Sequence, residues 1–417
     1  MTTDAQPAPL PSPQAPTARA DRALAPDVAR GLVLLGIAVA NVPFFLYGRE
    51  LGLLVKPVTH DTADPWVNAL VATLADNRSY PLFALLFGYG LTQLLTRESA
   101  RGTAWPDARR LLLRRNAWLI VFGAAHGVLL FFGDILGTYG LLGLALVMLI
   151  RASGRTLAIV GWLSFGFIIL VGALEGLSGL LTKFGGGGLA TPSAALFNSA
   201  GAETFPLAVL ARLGEWTLGM ISVPFGGLGL LAPMILGLWA ARYRVLEQPL
   251  KHRRALGLVA SIGIPVSVLG ALPIALALLG VVELSLIAEP FAAMLHAASG
   301  AVGGAAYVAL VALIVGGRGP GRELGGSTAK PRGPISRMFV ALGQRSLSGY
   351  LTQSLVFVIV FAPYGLGLGT TASVAEATQI AVITWLATLV IANILAAVNR
   401  SGPAEWLLRR AVYGRRG

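Results

Sequence analysis

The stretch that decides the fold is Asn116–Ile150, NAWLIVFGAAHGVLLFFGDILGTYGLLGLALVMLI. Its 35 residues carry one charge, Asp134. As a single helix it would run about 52 Å, too long for a hydrocarbon core of about 30 Å. Arg109, Arg110, Arg114 and Arg115 precede it, and Arg151 and Arg155 follow it. Membrane proteins collect Lys and Arg on their cytoplasmic loops. With both clusters on that side the stretch must cross twice, and Gly133-Asp134 becomes the outer turn of a tight helical hairpin.

Working outward, the rest of the 417-residue chain follows the same pattern. Charged residues make up 12%, about half the usual soluble share, and mean hydropathy is +0.73. That much apolar side chain excludes disorder for most of the length. The absence of Cys excludes a disulfide scaffold and thiolate metal sites. The expected fold is all-α: a polytopic integral membrane helix bundle of about ten transmembrane helices with both termini cytoplasmic. The spans are expected near 28–47, 79–96, 116–133, 134–150, 156–181, 219–241, 255–280, 292–316, 345–363 and 376–398. With crossings alternating from a cytoplasmic N-terminus, only Arg49, Lys56, Arg78, Lys183 and Arg212 of the 32 basic residues fall outside. The net charge of +13 is therefore a topology signal, spread over loops, and not a nucleic-acid patch.

Residues 1–26 are rich in Pro and Ala (PAPLPSPQAPTARA) and read as a disordered cytosolic tail, with no signal-peptide core. Residues 27–316 form a membrane domain of helices 1–8. Residues 317–334 (GRGPGRELGGSTAKPRGP) are a cytosolic linker, 335–410 hold the last two helices with their cytosolic end, and 411–417 are a basic tail. The outer segment 182–218 is the longest loop, and its end is expected to lie as an amphipathic helix on the outer surface.

Ionisable residues inside a bilayer are expensive and mark function by default. They are Asp27 with Arg30, His126 with Asp134, Glu175, and Glu289 with His296; Asn41 and the segment Arg345–Gln353 add polar groups. Asp27 and Arg30 share a helix face, either as a cap and topology anchor or as a pocket for a phosphate-bearing donor. His126 and Asp134 are eight residues apart, about 12 Å on an unbroken helix, so contact requires the Gly133 turn. Paired, they make a general base with its orienting acid; unpaired, they are a satisfied histidine and a helix cap. His60, in the first outer loop, is either solvated or a base facing the outer medium. His296 and Glu289 suit packing or a proton relay, and His252 sits in a basic loop. No Gly-rich phosphate loop is present, and four His with no Cys make a metal site unexpected.

Five blocks now carry a resemblance: APDVARGLVLLGIAVANVPFF from Ala25, FALLFGYG from Phe83, GAAHGVLLFFGDILGTYGLLG from Gly123, LGQRSLSGYLTQSLV from Leu342 and SGPAEWLLRR from Ser401. Together they resemble the YeiB-type family of bacterial membrane proteins, the domain of unknown function 418. The first helices are also similar to transmembrane acyltransferases of the heparan-glucosaminide acetyltransferase type. Those enzymes pass an acyl group from cytosolic acyl-CoA to an acceptor on the far side. The resemblance implies a bacterial plasma-membrane location, acyl-CoA as co-substrate, and an extracytoplasmic glycan or envelope acceptor. The wider pattern is an Arg, ten residues, then His; here Arg30 matches, and Asn41 stands in place of the His. The resemblance makes His126 or His60 the base or nucleophile, Asp134 its orienter, Asn41 an oxyanion donor, and Arg30 with Asp27 the phosphate end. The competing reading is a small-molecule transporter, marked by helices broken at Pro224–Gly227 and Gly300–Gly304. A membrane component with no small-molecule site is the third.

Overall fold

The computed structural model describes residues 24–58, 61–185, 199–316 and 333–414. Their regular secondary structure is helical, apart from one isolated bridge between Leu51 and Pro57. The helices are α1 (Leu24–Asn41), α2 (Asp64–Leu74), α3 (Ser79–Ala100), α4 (Trp105–Leu129), α5 (Ile135–Leu149), α6 (Gly154–Gly185) and α7 (Phe205–Gly226). They continue with α8 (Leu231–Arg242), α9 (Arg253–Leu278), α10 (Ala288–Gly316), α11 (Pro334–Gly343), α12 (Ser346–Phe361), α13 (Val374–Ala397) and α14 (Pro403–Tyr413). Their starts are written in the sequence. Pro occupies the first turn of α2, α4, α7, α11 and α14, where its missing N–H is no loss. Ser373 and Glu376 form a reciprocal capping box on α13.

α1 is the central post. It packs against α3, α10, α11, α12 and α13, and 72% of its span is buried. α6 is the opposite case, with 17% of its span buried. Trp162, Leu163, Leu170 and Leu174 on α6 face outward, as do Leu258 and Leu269 on α9 and Ile383 and Ile394 on α13. A large apolar outer surface of this kind is stable only in lipid, and the chain is a membrane protein.

By length and composition, five helices suffice to cross: α1, α6, α9, α10 and α13. The pair α7–α8, bent by 67° at its break, makes a sixth, and α5 and α12 are shorter apolar helices. The remaining two of the ten expected spans, α3 and α4, carry charges on their own ends: Arg97 and Glu98, and Asp107 through Arg115. The helices run past the apolar stretch, so a boundary drawn at the first charge cuts them short. Two further differences concern 182–241 and the first outer loop. The surface helix expected before residue 219 and the span expected after it are continuous through α7, and the break comes at Pro224–Gly227. α2 belongs to no span and was missed, because eleven residues between polar loops leave no long apolar run. Of the expected linker, 317–332 lies outside the described residues, as does the tail 1–23.

Hydrogen bonds between segments sort the helix ends into two groups. At one end Arg242 donates to the carbonyls of Ile150 and Ala152, Arg345 to that of Arg400, and Gln344 to the Asp27 carboxylate. At the other, Arg49 donates to the Thr370 carbonyl, and Arg212 to the Leu129 carbonyl and the Tyr364 hydroxyl. Asp64 there accepts from the amides of Val374 and Ala375. The start of α1 and the helix α14 thus share the arginine-rich end.

Candidate active site

The hairpin builds the centre of the site. α4 ends at Leu129, and five residues turn the chain into α5. Asp134 is the N-cap of α5, its Oδ2 accepting from the Gly137 amide at 2.6 Å. Its other oxygen, Oδ1, lies 2.8 Å from Nδ1 of His126. The turn therefore supplies the contact that an unbroken helix forbids. Gly123 makes room for it: a Cβ there would sit 2.2 Å from the Gly137 nitrogen and 2.4 Å from Asp134 Oδ2. Neither the His126 nor the Asp134 side chain has any exposed surface.

Nε2 of His126 is 2.8 Å from Oγ of Ser354 on α12. An ionised carboxylate only accepts, so Asp134 fixes the proton on Nδ1, and Nε2 accepts from the serine hydroxyl. This is the connectivity of a serine–histidine–acid triad. Ser354 was missed by sequence reasoning, which stopped one residue earlier, at Gln353. A serine within an apolar helix carries little signal, because it usually bonds its own preceding turn.

The imidazole lies between two different surroundings. Phe131 meets its edge at 6.4 Å between ring centres; Phe45 and Phe132 pack on Phe131, and Phe357 packs on Phe45. On the other side lies Tyr350, 4.7 Å between ring centres. Tyr350 lines a cavity of about 340 Å³ that continues past Tyr139 and Leu136 to Arg30, Arg97, Arg115 and Arg409. Arg97 and Arg409 are exposed, so the cavity meets the surface at its arginine end. Arg30 donates to Asp27 and to the Leu86 carbonyl, both at 3.0 Å. Arg115 stacks 5.1 Å over Phe87, and its buried Nη1 has no hydrogen-bond partner. The one carboxylate in the lining, Glu405, is occupied by the Leu347 and Ser348 amides and the Ser348 hydroxyl. The cavity thus joins a surplus of guanidinium charge to a wall one ring away from His126.

The other sequence candidates fall elsewhere. Asn41 is buried, and its Oδ1 accepts from the Tyr80 hydroxyl and not from the His126 ring. His60 lies outside the described residues, as does the Glu175 side chain. His296 is paired not with Glu289 but with α2 and the turn after it: Nδ1 accepts from Asn77, Nε2–H donates to the Ala72 carbonyl, and the Arg78 guanidinium lies beside that nitrogen. Arg78 is fully buried there. α10 runs unbroken through Gly300–Gly304.

Residues 240–415 match the family described as a protein of unknown function, DUF418. The chain is 26% identical to YxaH, an uncharacterized protein of Bacillus subtilis (strain 168), over 95% of its own length and 96% of the relative's. It is 32% identical to the uncharacterized YeiB of Escherichia coli (strain K12), over 36% of this chain and 38% of that one. The chain is thus similar to the YeiB-type DUF418 family, through this domain over residues 240–415 and through YxaH over nearly its whole length. The matched region holds Tyr350, Ser354, Glu405 and Arg409, while His126, Asp134, Arg30 and Arg115 precede it.

Proposed function

We propose that this protein is a transmembrane acyltransferase. It takes an acyl group from acyl-CoA at its arginine-rich face and delivers it to a hydroxyl of a glycan or other envelope acceptor on the opposite side. The observation that carries this reading is the cavity that links Arg30, Arg97, Arg115 and Arg409 to Tyr350, against which His126 packs. A polyphosphate thioester needs cations at one end and a base at the other, at separate depths. The unpartnered Nη1 of Arg115 is the donor such a ligand would satisfy. Asp27 holds Arg30 in place, and Gln344 holds Asp27. His126, with Nδ1–H on Asp134, is the base that takes the proton of an attacking hydroxyl. Asn41 stays in this reading only through its amide nitrogen, since Tyr80 occupies its oxygen.

The arginine-rich end is the cytoplasmic one in this reading, in a bacterial plasma membrane, with both termini inside. The chain has no Cys, so single cysteines report on orientation cleanly. Ser153→Cys should resist a membrane-impermeant maleimide in intact cells, and Thr371→Cys should react; the reverse result overturns the orientation.

The reading is tested by equilibrium binding of labelled acetyl-CoA to detergent-purified protein and by release of CoA. Saturable binding is expected in wild type and in His126→Ala, with turnover only in wild type. Wild type that binds no acetyl-CoA at millimolar concentration removes the donor. A solute transporter is the second reading, favoured by the 67° break between α7 and α8 at Pro224–Gly227. It predicts solute flux in liposomes that survives His126→Ala.

A further inference from the structure

We propose that Ser354 is the catalytic nucleophile and that the acyl group rests on it as a covalent ester between donor and acceptor. This rests on the acyl-transfer reading above and goes beyond it, since a base alone would serve direct transfer.

Several features set Ser354 apart. Other hydroxyls in these helices bond the carbonyl one turn back: Thr73 to Ala69, Ser79 to Ala75, Thr92 to Gly88 and Thr384 to Ile380. Ser354 Oγ instead bonds Nε2 of His126 at 2.8 Å, across helices. The base is held from behind by Asp134, whose second oxygen is anchored to the Gly137 amide. The chain is thus complete from nucleophile to a fixed carboxylate, with no member exposed enough for water to loosen it. Tyr350 lies four residues before Ser354, on the same helix face, and lines the cavity. Its buried phenol has no hydrogen-bond acceptor. That proton is free for the oxygen of a tetrahedral intermediate formed at the cavity wall.

In the first step Ser354 Oγ attacks the thioester carbonyl and passes its proton to His126 Nε2. The C–S bond breaks, and the sulfur leaves as CoA thiol with that proton. In the second step an acceptor hydroxyl attacks the serine ester and gives its proton to His126. The ester C–O bond breaks, and the proton returns to Ser354 Oγ. Atoms balance, and nothing is oxidised or reduced. The ester frees the cavity of CoA before the acceptor arrives, so one buried centre serves two faces in turn.

The test uses the full chain in detergent or nanodiscs, with acetyl-CoA and no acceptor. Wild type should release CoA in a burst approaching one per chain and gain one acetyl group on the peptide holding Ser354. A fluorophosphonate probe should label the same residue, and His126→Ala should slow labelling about 100-fold or more. Ser354→Ala should show neither burst nor adduct. Ser354→Cys should carry the acetyl group as a thioester cleaved by neutral hydroxylamine, an outcome no structural role of the serine would give. Saturable acetyl-CoA binding without a burst, adduct or probe labelling overturns the nucleophile and leaves the acyltransferase reading standing. A burst that persists in Ser354→Ala does the same. Probe labelling of Ser354 without acetyl-CoA binding removes the CoA donor and keeps the nucleophile. Absence of labelling, burst and binding together overturns both.

Discussion

His126 and His296 are both buried in apolar helices, and each uses both ring nitrogens. Their partners differ in kind. His126 has a carboxylate on one nitrogen and a hydroxyl on the other, and it packs against a ring that lines the cavity. His296 has an amide, a backbone carbonyl and a guanidinium, which hold the α2–α3 turn against α10. A carboxylate fixes the tautomer of the ring and stabilises the imidazolium that proton transfer creates. A guanidinium at the ring repels that charge. Both rings are buried and both have their two nitrogens bonded, so neither burial nor saturation separates a base from a strut. The sign of the neighbouring charge and the adjoining space do.

The largest expected effect is a double dissociation. His126→Ala should lower acetyl-CoA turnover by about 10²–10⁴-fold with little change in the apparent unfolding midpoint. His296→Ala should leave turnover per folded molecule unchanged. It should cost roughly 3 kcal/mol of stability, because the Ala72 carbonyl and Asn77 amide lose buried partners. Equal activity losses at the two positions would break the distinction. A smaller effect follows from the glycine packed beside each site. Gly123→Ala forces a Cβ into Asp134 Oδ2, and Gly300→Ala forces one to 2.3 Å from the Asn77 carbonyl. Both should destabilise by about 1–3 kcal/mol. Only Gly123→Ala should also cut fluorophosphonate labelling of Ser354, about tenfold or more, since it moves the carboxylate that orients the base. Comparable labelling in the two variants would mean that Asp134 does not position His126.

How much of this was legible beforehand follows from particular residues. The hairpin was readable because Asn116–Ile150 is too long for one crossing and is flanked by arginines at both ends. That reading put His126 and Asp134 on facing arms, and contact needed only the turn. Membrane character was readable from composition, although the span count was not settled by it. α3 and α4 extend into charged ends, and α7 and α8 share a single apolar run across a bend. Ser354 and Tyr350 were not readable, because α12 meets the hairpin only in the fold. The family blocks already contained both residues, in LSGYLTQSL, but a block marks a segment and not which face of it turns inward. Arg115 was counted as a topology charge, and its inward side became visible only with α3 and α14 beside it.

The smallest effect extends the comparison from histidines to arginines. Arg78 is buried with its donors taken: Ser267 Oγ, the Ser267 carbonyl and the Asp76 carbonyl. Arg115 lines the cavity with one buried donor unused. Arg78 is therefore satisfied by the fold, whereas Arg115 is satisfied only by something that enters. Arg115→Gln should weaken acetyl-CoA binding about tenfold, the equivalent of about 1.4 kcal/mol, and leave the unfolding midpoint nearly unchanged. The sharper measurement pairs the variant with acetyl-pantetheine, which carries the thioester but no phosphate. Wild type should prefer acetyl-CoA, and Arg115→Gln should lose part of that preference while binding acetyl-pantetheine as wild type does. A preference that survives intact would move the phosphate contact to Arg30, Arg97 or Arg409. A loss on both ligands alike would make Arg115 a wall of the cavity, held by its stack on Phe87, in which case it would resemble Arg78 after all.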